Sequence, residues 1–264
     1  IAEDGSEAEQ RLESWLGDEK RGEDEFDAMA DALFDRECWR GAVRCLELLR
    51  DIRPDSAEYL CTAALAHYNM REYDIAEELG ARAIGLDPDR DQAWYVRGIS
   101  LLELGRAGQA AECFRRLLRR DMRKASWLAG YANALAALGR TAAALACFNR
   151  ALEYEKADQW IWADAAGLLY SMGLVDEALE YCERAVEVPR GSDGKLLCMA
   201  AHMLESKGRY REALERLERV LEYYPEHGCL LRRRGELLRI LEEEERPAEE
   251  AARIIDYTGR KEHG

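Results

Sequence analysis

The chain has little from which to build a sheet. Val, Ile and Thr are scarce, Phe occurs four times and Pro five, whereas Ala, Leu, Glu and Arg dominate the 264 residues. β-Branched and aromatic residues favour strands, and the abundant residues here are good helix formers. An all-α protein is expected. Positive charge is also short: 53 Asp and Glu face 38 Lys and Arg, for a net charge of −15 and a pI near 4.9. Phosphate binding needs a concentrated positive field, so nucleic acid is not expected as a partner. No run of about 18 apolar residues occurs, so no span of a membrane is expected. No signal-peptide pattern stands out. The eight cysteines contain no C-x-x-C pair and match neither a zinc site nor a small secreted disulfide scaffold. Their number in a helical chain fits a reducing, cytoplasmic compartment. The chain begins at Ile1 without Met, as expected of a fragment or a processed form.

The signatures of common catalytic chemistry are missing too. There is no Gly-rich phosphate loop and no nucleophile elbow in a strand–turn–helix setting. His67, His202, His227 and His263 lack metal-ligand spacing, and His67 stands where other segments place a core leucine, so a partly buried structural histidine is expected. Cys45, Cys113 and Cys147 share one sequence register, and Cys61 and Cys198 another, which points to packing and not reactivity. No enzyme activity, cofactor or metal is expected.

What the chain does have is repetition. A small residue in the middle of an apolar segment falls at Ala30, Ala64, Gly98, Ala132, Ala166, Ala201 and Gly235, in steps of 34 with a single step of 35. A second series runs through Ala42, Ala76, Ala110, Ala144, Ala178 and Ala213, and a third through Leu49, Ala83, Leu117, Ala151, Ala185 and Val220. Within one period, Trp94, Arg97, Gly98 and Leu101 mark a helical face. Gly105 marks a turn, and Ala110, Phe114 and Leu117 mark a second helix. Turn glycines recur at Gly139, Gly173 and Gly208, and Pro54, Pro88 and Pro225 close three of the units. Small side chains let the paired helices approach, and large ones such as Trp94, Phe114, Phe148 and Trp162 fill the space between pairs. A single pair cannot bury its apolar face, so neighbouring pairs must stack.

These series, together with Phe26, Leu60, Trp94, Leu128, Trp162, Leu197 and Leu231 and the aromatics Trp39, Tyr73 and Tyr210 that open second helices, resemble the tetratricopeptide repeat family. The resemblance covers about residues 23–262. It implies a right-handed α-solenoid of about seven helix–turn–helix units beginning near residues 23, 57, 91, 125, 159, 194 and 228. Departures from the pattern are visible. Glu37 and Arg71 replace the turn glycine of the first two units, and an extra residue enters near Pro189–Asp193, where a bulged loop is expected. In the seventh unit Leu231, Gly235 and Leu238 keep the pattern, Glu242–Glu245 and Arg246 replace the turn, and Pro247 is expected to start the next helix. That degenerate unit is expected to cap the stack. Residues 1–22 precede the register as an acidic extension or a short capping helix around Leu12, Trp15 and Leu16, with its first few residues disordered.

The resemblance also implies an inner surface lined by first helices, acidic at its beginning, apolar and aromatic in its middle and more basic near its end. Its expected partner-binding residues are Tyr95, Ile99, Leu102, Asn133, Trp160, Tyr170, His202, Arg232 and Arg233. Tyr95, Trp160 and Tyr170 occupy positions that a hairpin core does not require. Some members of the family grip a chaperone's terminal carboxylate with Lys, Arg and Asn. The matching positions here are Asp27, Asp31, Cys61, Leu65, Tyr95, Ile99, Ala129 and Asn133, so no cation is present and that ligand is not expected. The cluster Arg115, Arg116, Arg119, Arg120 and Arg123 reads either as the wet face of a helix or as a docking patch for an acidic segment or phosphate. The function expected is a non-catalytic scaffold or adaptor for a protein or peptide partner. Self-assembly into an oligomer, or a regulatory part of a larger polypeptide, are the alternatives.

Overall fold

The computed structural model describes residues 23–36, 38–52, 56–155, 158–186, 194–222 and 224–261, and among these there are thirteen helices and no strand. The extension over residues 1–22 and the Pro189–Asp193 loop lie outside the described residues. Two compact units divide the chain, residues 1–154 and 155–264. The first holds α1 (Glu23–Asp35), α2 (Trp39–Ile52), α3 (Ala57–Asn69), α4 (Tyr73–Leu86), α5 (Asp91–Glu103), α6 (Ala107–Arg120), α7 (Ala125–Ala137) and α8 (Thr141–Tyr154). The second holds α9 (Gln159–Ser171), α10 (Val175–Val186), α11 (Gly194–Glu205), α12 (Tyr210–Leu221) and α13 (Gly228–Lys261). Helices pair in order as hairpins, and Trp39, Tyr73 and Tyr210 open second helices as the periodicity predicts.

One turn geometry recurs. In the third repeat the amide of Gly105 donates to Leu102 O and that of Arg106 to Leu101 O, the paired bonds of a Schellman motif. The same pair recurs at Gly139, Gly173 and Gly208, whose φ values are 74, 79 and 71°. Arg71 makes these bonds without being glycine, at φ 64°. Its Cβ therefore sits in a left-handed conformation that costs about 1–2 kcal/mol. The turn is kept because the hydrogen bonds of Arg71 to Tyr68 O and Glu72 to His67 O still form. The aromatic pair Tyr68–Tyr73 also closes across it, with ring centroids 5.4 Å apart. Phe34 and Trp39 pair the same way one repeat earlier, 5.2 Å apart.

The repeated small residues are where helices touch. From Ala30 through Ala201 the first series is buried, and the second series, Ala42 to Ala213, is fully buried throughout. The tightest crossing lies in the first unit, where the ring of Phe114 on α6 fills the space between Gly98 on α5 and Gly130 on α7. A Cβ on Gly98 would come within 2.9 Å of Phe114 Cζ, and one on Gly130 would overlap the same ring. Leu101, Cys113, Leu117 and Trp127 complete that cluster.

The last helix departs from expectation. It runs unbroken from Gly228 to Lys261, through Glu242–Glu245, Arg246 and Pro247, so Pro247 does not begin a new helix. No glycine lies between Gly235 and Gly259 to supply a positive φ, and the glutamates and arginines there are good helix formers. The lost amide of Pro247 costs the helix one bond and does not end it. Its register differs as well. Leu230 and Leu237 are fully buried, whereas Leu231, Gly235 and Leu238 are exposed. An internal first helix is covered by its own second helix and by flanking pairs. Here α13 packs on α12 and α11 along the stripe Leu230, Arg233 and Leu237.

Three substitutions test this packing by urea unfolding. Gly130→Ala is expected to destabilise by about 1–3 kcal/mol through overpacking on Phe114. Gly108→Ala, in a helix with nothing near its Cβ, is expected to stabilise by about 0.5–1 kcal/mol. Arg71→Gly is expected to stabilise by up to about 1 kcal/mol, because it trades strain for chain entropy.

Candidate protein-binding surface

In the first unit, α5 packs directly on α3 and on α7, while no comparable contact joins α4 to α6 or α6 to α8. First helices lie side by side and second helices splay, so this unit curves towards its first helices. The curved-in face carries Leu65 and Tyr68 on α3, Tyr95, Ile99 and Leu102 on α5, and Asn133 and Ala136 on α7, all half-buried. The Tyr68 hydroxyl donates to Glu103 Oε1 at 3.5 Å, linking α3 to α5. Burial, then the Glu103 charge, push the Tyr68 phenol up, so it stays protonated.

Tyr95, Ile99 and Leu102 also serve the core. They pack against the Leu101–Phe114 cluster, with the Tyr95 ring edge-on to Phe114 at 6.2 Å. The expectation that a hairpin core does not require Tyr95 is therefore corrected. A tyrosine at this position reaches past its own helix because Gly98 leaves the Phe114 ring uncovered. Trp160 is different. It is the second residue of α9, after the Asp158 cap whose carboxylate accepts from the Trp160 amide at 2.9 Å, and it is 66% exposed. Tyr170 is half-buried on the same helix, and His202 and Arg232 are exposed on α11 and α13. Arg233 is engaged within the protein by Glu205 and Glu236, so it is not a free cation.

The basic cluster is largely spoken for. The guanidinium of Arg116 lies 4.7 Å from the Trp94 ring centroid and donates to Pro88 O at 3.0 Å, while Trp94 Nε1 donates to the same carbonyl at 2.9 Å. Arg120 bonds Asp89 O and pairs with Asp91 at 3.1 Å, and Arg115 pairs with Glu112. Arg116 and Arg120 thus tie α6 to the turn that precedes α5 in the same hairpin. Arg119 and Arg123 are exposed and make no ion pair among the described residues. Five basic residues in sequence do not make a free patch of five. Arg184 stands over Trp162 at 5.5 Å, in the register of Arg116 over Trp94. Arginine recurs in this register at Arg82, Arg150 and Arg219, where the facing first-helix position is Leu60, Leu128 or Leu197, so the stack forms where that position is Trp94 or Trp162.

The remaining chemistry is quiet. Cys45 and Cys61 are fully buried, and burial pushes both thiols up to about 11 and that of Cys182 up to about 12. His67 is half-buried and meets Glu72 Oε2 at 2.6 Å, the structural role expected of it. Among the described residues no three His, Cys, Asp or Glu are placed to hold a metal ion, and no helix is long and apolar enough to cross a membrane.

Curvature from paired helices, Schellman turns every 34 residues and small residues at each crossing agree with the sequence comparisons. Tetratricopeptide repeat models match residues 61–125, 95–159 and 198–256, and a second such model matches 135–197. The chain belongs to the tetratricopeptide repeat family. No curated protein matches it. Among solved structures, a tetratricopeptide repeat protein of Parabacteroides merdae superposes with a TM-score of 0.67 at 14% identity, over 88% of this chain and 91% of that one. The thermophilic repeat protein TTC0263 of Thermus thermophilus gives 0.58 at 22% identity, over 69% and 99%. The pilF protein of Pseudomonas aeruginosa gives 0.61 at 16%, over 81% and 96%. These likenesses concern the fold.

The thiols make a pH prediction. A thiol with an ordinary value of 9.0 that burial raises to about 11 ionises in the unfolded chain first. Stability is therefore full below pH 9 and is lost as pH rises towards 11. Urea midpoints between pH 8 and 11 check this, and Cys45→Ala with Cys61→Ala should flatten the fall. At pH 8 a thiol reagent should label exposed Cys38 and Cys229 before these two.

Proposed function

We propose that the chain is a non-catalytic adaptor that holds a segment of another protein against its first-helix faces, in a reducing compartment where its thiols stay free. One observation carries this reading: side-by-side α3, α5 and α7 present Tyr68, Tyr95, Ile99 and Leu102 half-exposed on a curved surface. Half-exposed aromatic and aliphatic side chains on a rigid concave scaffold are suited to anchoring an extended or helical segment. Asn133 beside them can hydrogen-bond a partner's backbone. In the second unit, Trp160 is the apolar anchor of highest exposure, and an exposed Trp is the residue type most enriched at binding hot spots. Arg232, exposed on α13, and His202 on α11 supply the polar contacts of that unit.

A photo-crosslinking amino acid at Gln92, exposed at the start of α5, is expected to capture a partner from native lysate. The same probe at Gln109, on α6, is not. Ile99→Asp should abolish that capture. Trp160→Ala, which leaves no cavity, should weaken binding to the second unit by about 1–2 kcal/mol with the thermal midpoint unchanged. Equal crosslinking from both positions, or capture indifferent to Ile99→Asp, would sink the assignment.

A further inference from the structure

From the first-helix face of the first unit we infer the chemistry of its occupant: a partner segment in which Lys or Arg alternates with apolar side chains. The inference rests on the proposed binding face and deepens it. The helices α1, α3, α5 and α7 contain a single Arg or Lys, Arg97. That residue is turned away from the face, towards α4. Its Nε donates to Glu77 Oε1 at 2.8 Å, and its Cβ lies against Gly80. Carboxylates are present without cations to answer them. Asp31, Glu58 and Glu103, on α1, α3 and α5, are exposed and have no ion-pair partner among the described residues. The other cations of this unit stand on its second helices, at Arg40, Arg44, Arg50, Arg82, Arg115, Arg116, Arg119, Arg120 and Arg150, and in its turns, among them Arg71, Arg90, Arg106, Arg123, Lys124 and Arg140.

The curved-in side of this unit thus carries acids that make no ion pair among the described residues, whereas the second helices mix arginines with acids such as Glu77, Glu78, Glu112 and Glu153. The aromatic side chains favour the same occupant. Tyr68 and Tyr95 are half-exposed on this face, and the Glu103 carboxylate, hydrogen-bonded to Tyr68, stands beside them. Carboxylate and ring together attract a cation by Coulomb and quadrupole terms. A segment bearing carboxylates or phosphates meets like charge there and is disfavoured. Leu65, Ile99 and Leu102 between the acids require apolar side chains in alternation with the cations.

The test uses the full chain and two fluorescein-labelled twelve-residue peptides, repeats of Leu-Lys-Ala-Lys and of Leu-Glu-Ala-Glu, read by anisotropy. The lysine peptide is expected to bind about tenfold or more tighter than the glutamate peptide, and to weaken as salt is raised. Glu58→Gln with Glu103→Gln should cost about fivefold. Glu78→Gln with Glu153→Gln, the same change of charge on second helices, should cost less than about twofold, which separates a local site from bulk attraction by an acidic protein. If the two peptides bind alike and Ile99→Asp still abolishes binding, the charge inference falls and the binding face stands. If both double variants weaken the lysine peptide equally and Ile99→Asp does nothing, the binding face falls with it. Binding of neither peptide overturns the inference.

Discussion

The structure depends on how closely two helices can approach. Where the backbone of α5 meets α6, and α7 meets the same helix from the other side, glycines stand at the contact and the Phe114 ring occupies what their missing side chains leave. Interiors pack to crystal-like density, so a crossing shortened by a missing methyl must be filled by a group of matching shape. Fully buried small residues recur along the first unit, at Ala64, Ala76, Ala110, Ala132 and Ala144. First helices close on one another, second helices do not, and curvature is the result.

Curvature then separates the two kinds of helix by environment. The second helices carry arginines that are largely consumed within the protein. Arg116 stacks on Trp94 and bonds Pro88 O, and Arg120 reaches the Asp89–Asp91 turn. These contacts hold a hairpin's second helix to the turn that opens its first. In the first unit the first helices carry a single arginine, Arg97, which turns away to Glu77, and their other charges are acidic. A face with aromatic and aliphatic side chains, and with carboxylates that no internal cation answers, is left over when the packing demands have been met. Tyr95 and Ile99 belong to both tasks, touching the core at one end and solvent at the other.

Helix boundaries, hairpin pairing and the buried alanines were legible because each rests on a local cause repeated every 34 residues. A left-handed turn residue, a small residue at a crossing and an aromatic at a helix start each leave a mark in the chain. The last helix was misread because its signal was an absence. Leu231, Gly235 and Leu238 continue the spacing, yet with α11 and α12 as its packing partners the helix buries Leu230 and Leu237 instead. The candidate surface was legible in position and not in use. Spacing placed Tyr95 and Arg233 on inward faces. That Tyr95 leans on Phe114 depends on the partner helix of its hairpin, and that Arg233 is held by Glu205 on a neighbour one repeat away.

By itself, then, the chain's order of residues determined an all-helical tetratricopeptide repeat fold, the turns up to Gly208, and the burial of Cys45, Cys61 and Cys113. Those are set by φ preferences and by side-chain size at short range. Only the tertiary structure decided which arginines are free, which aromatics are exposed and how the last helix is rotated. Each of those depends on a partner group about 28 to 35 residues distant along the chain, as Arg116 is from Pro88 and Tyr68 from Glu103, and periodicity within one helix carries no information about that distance.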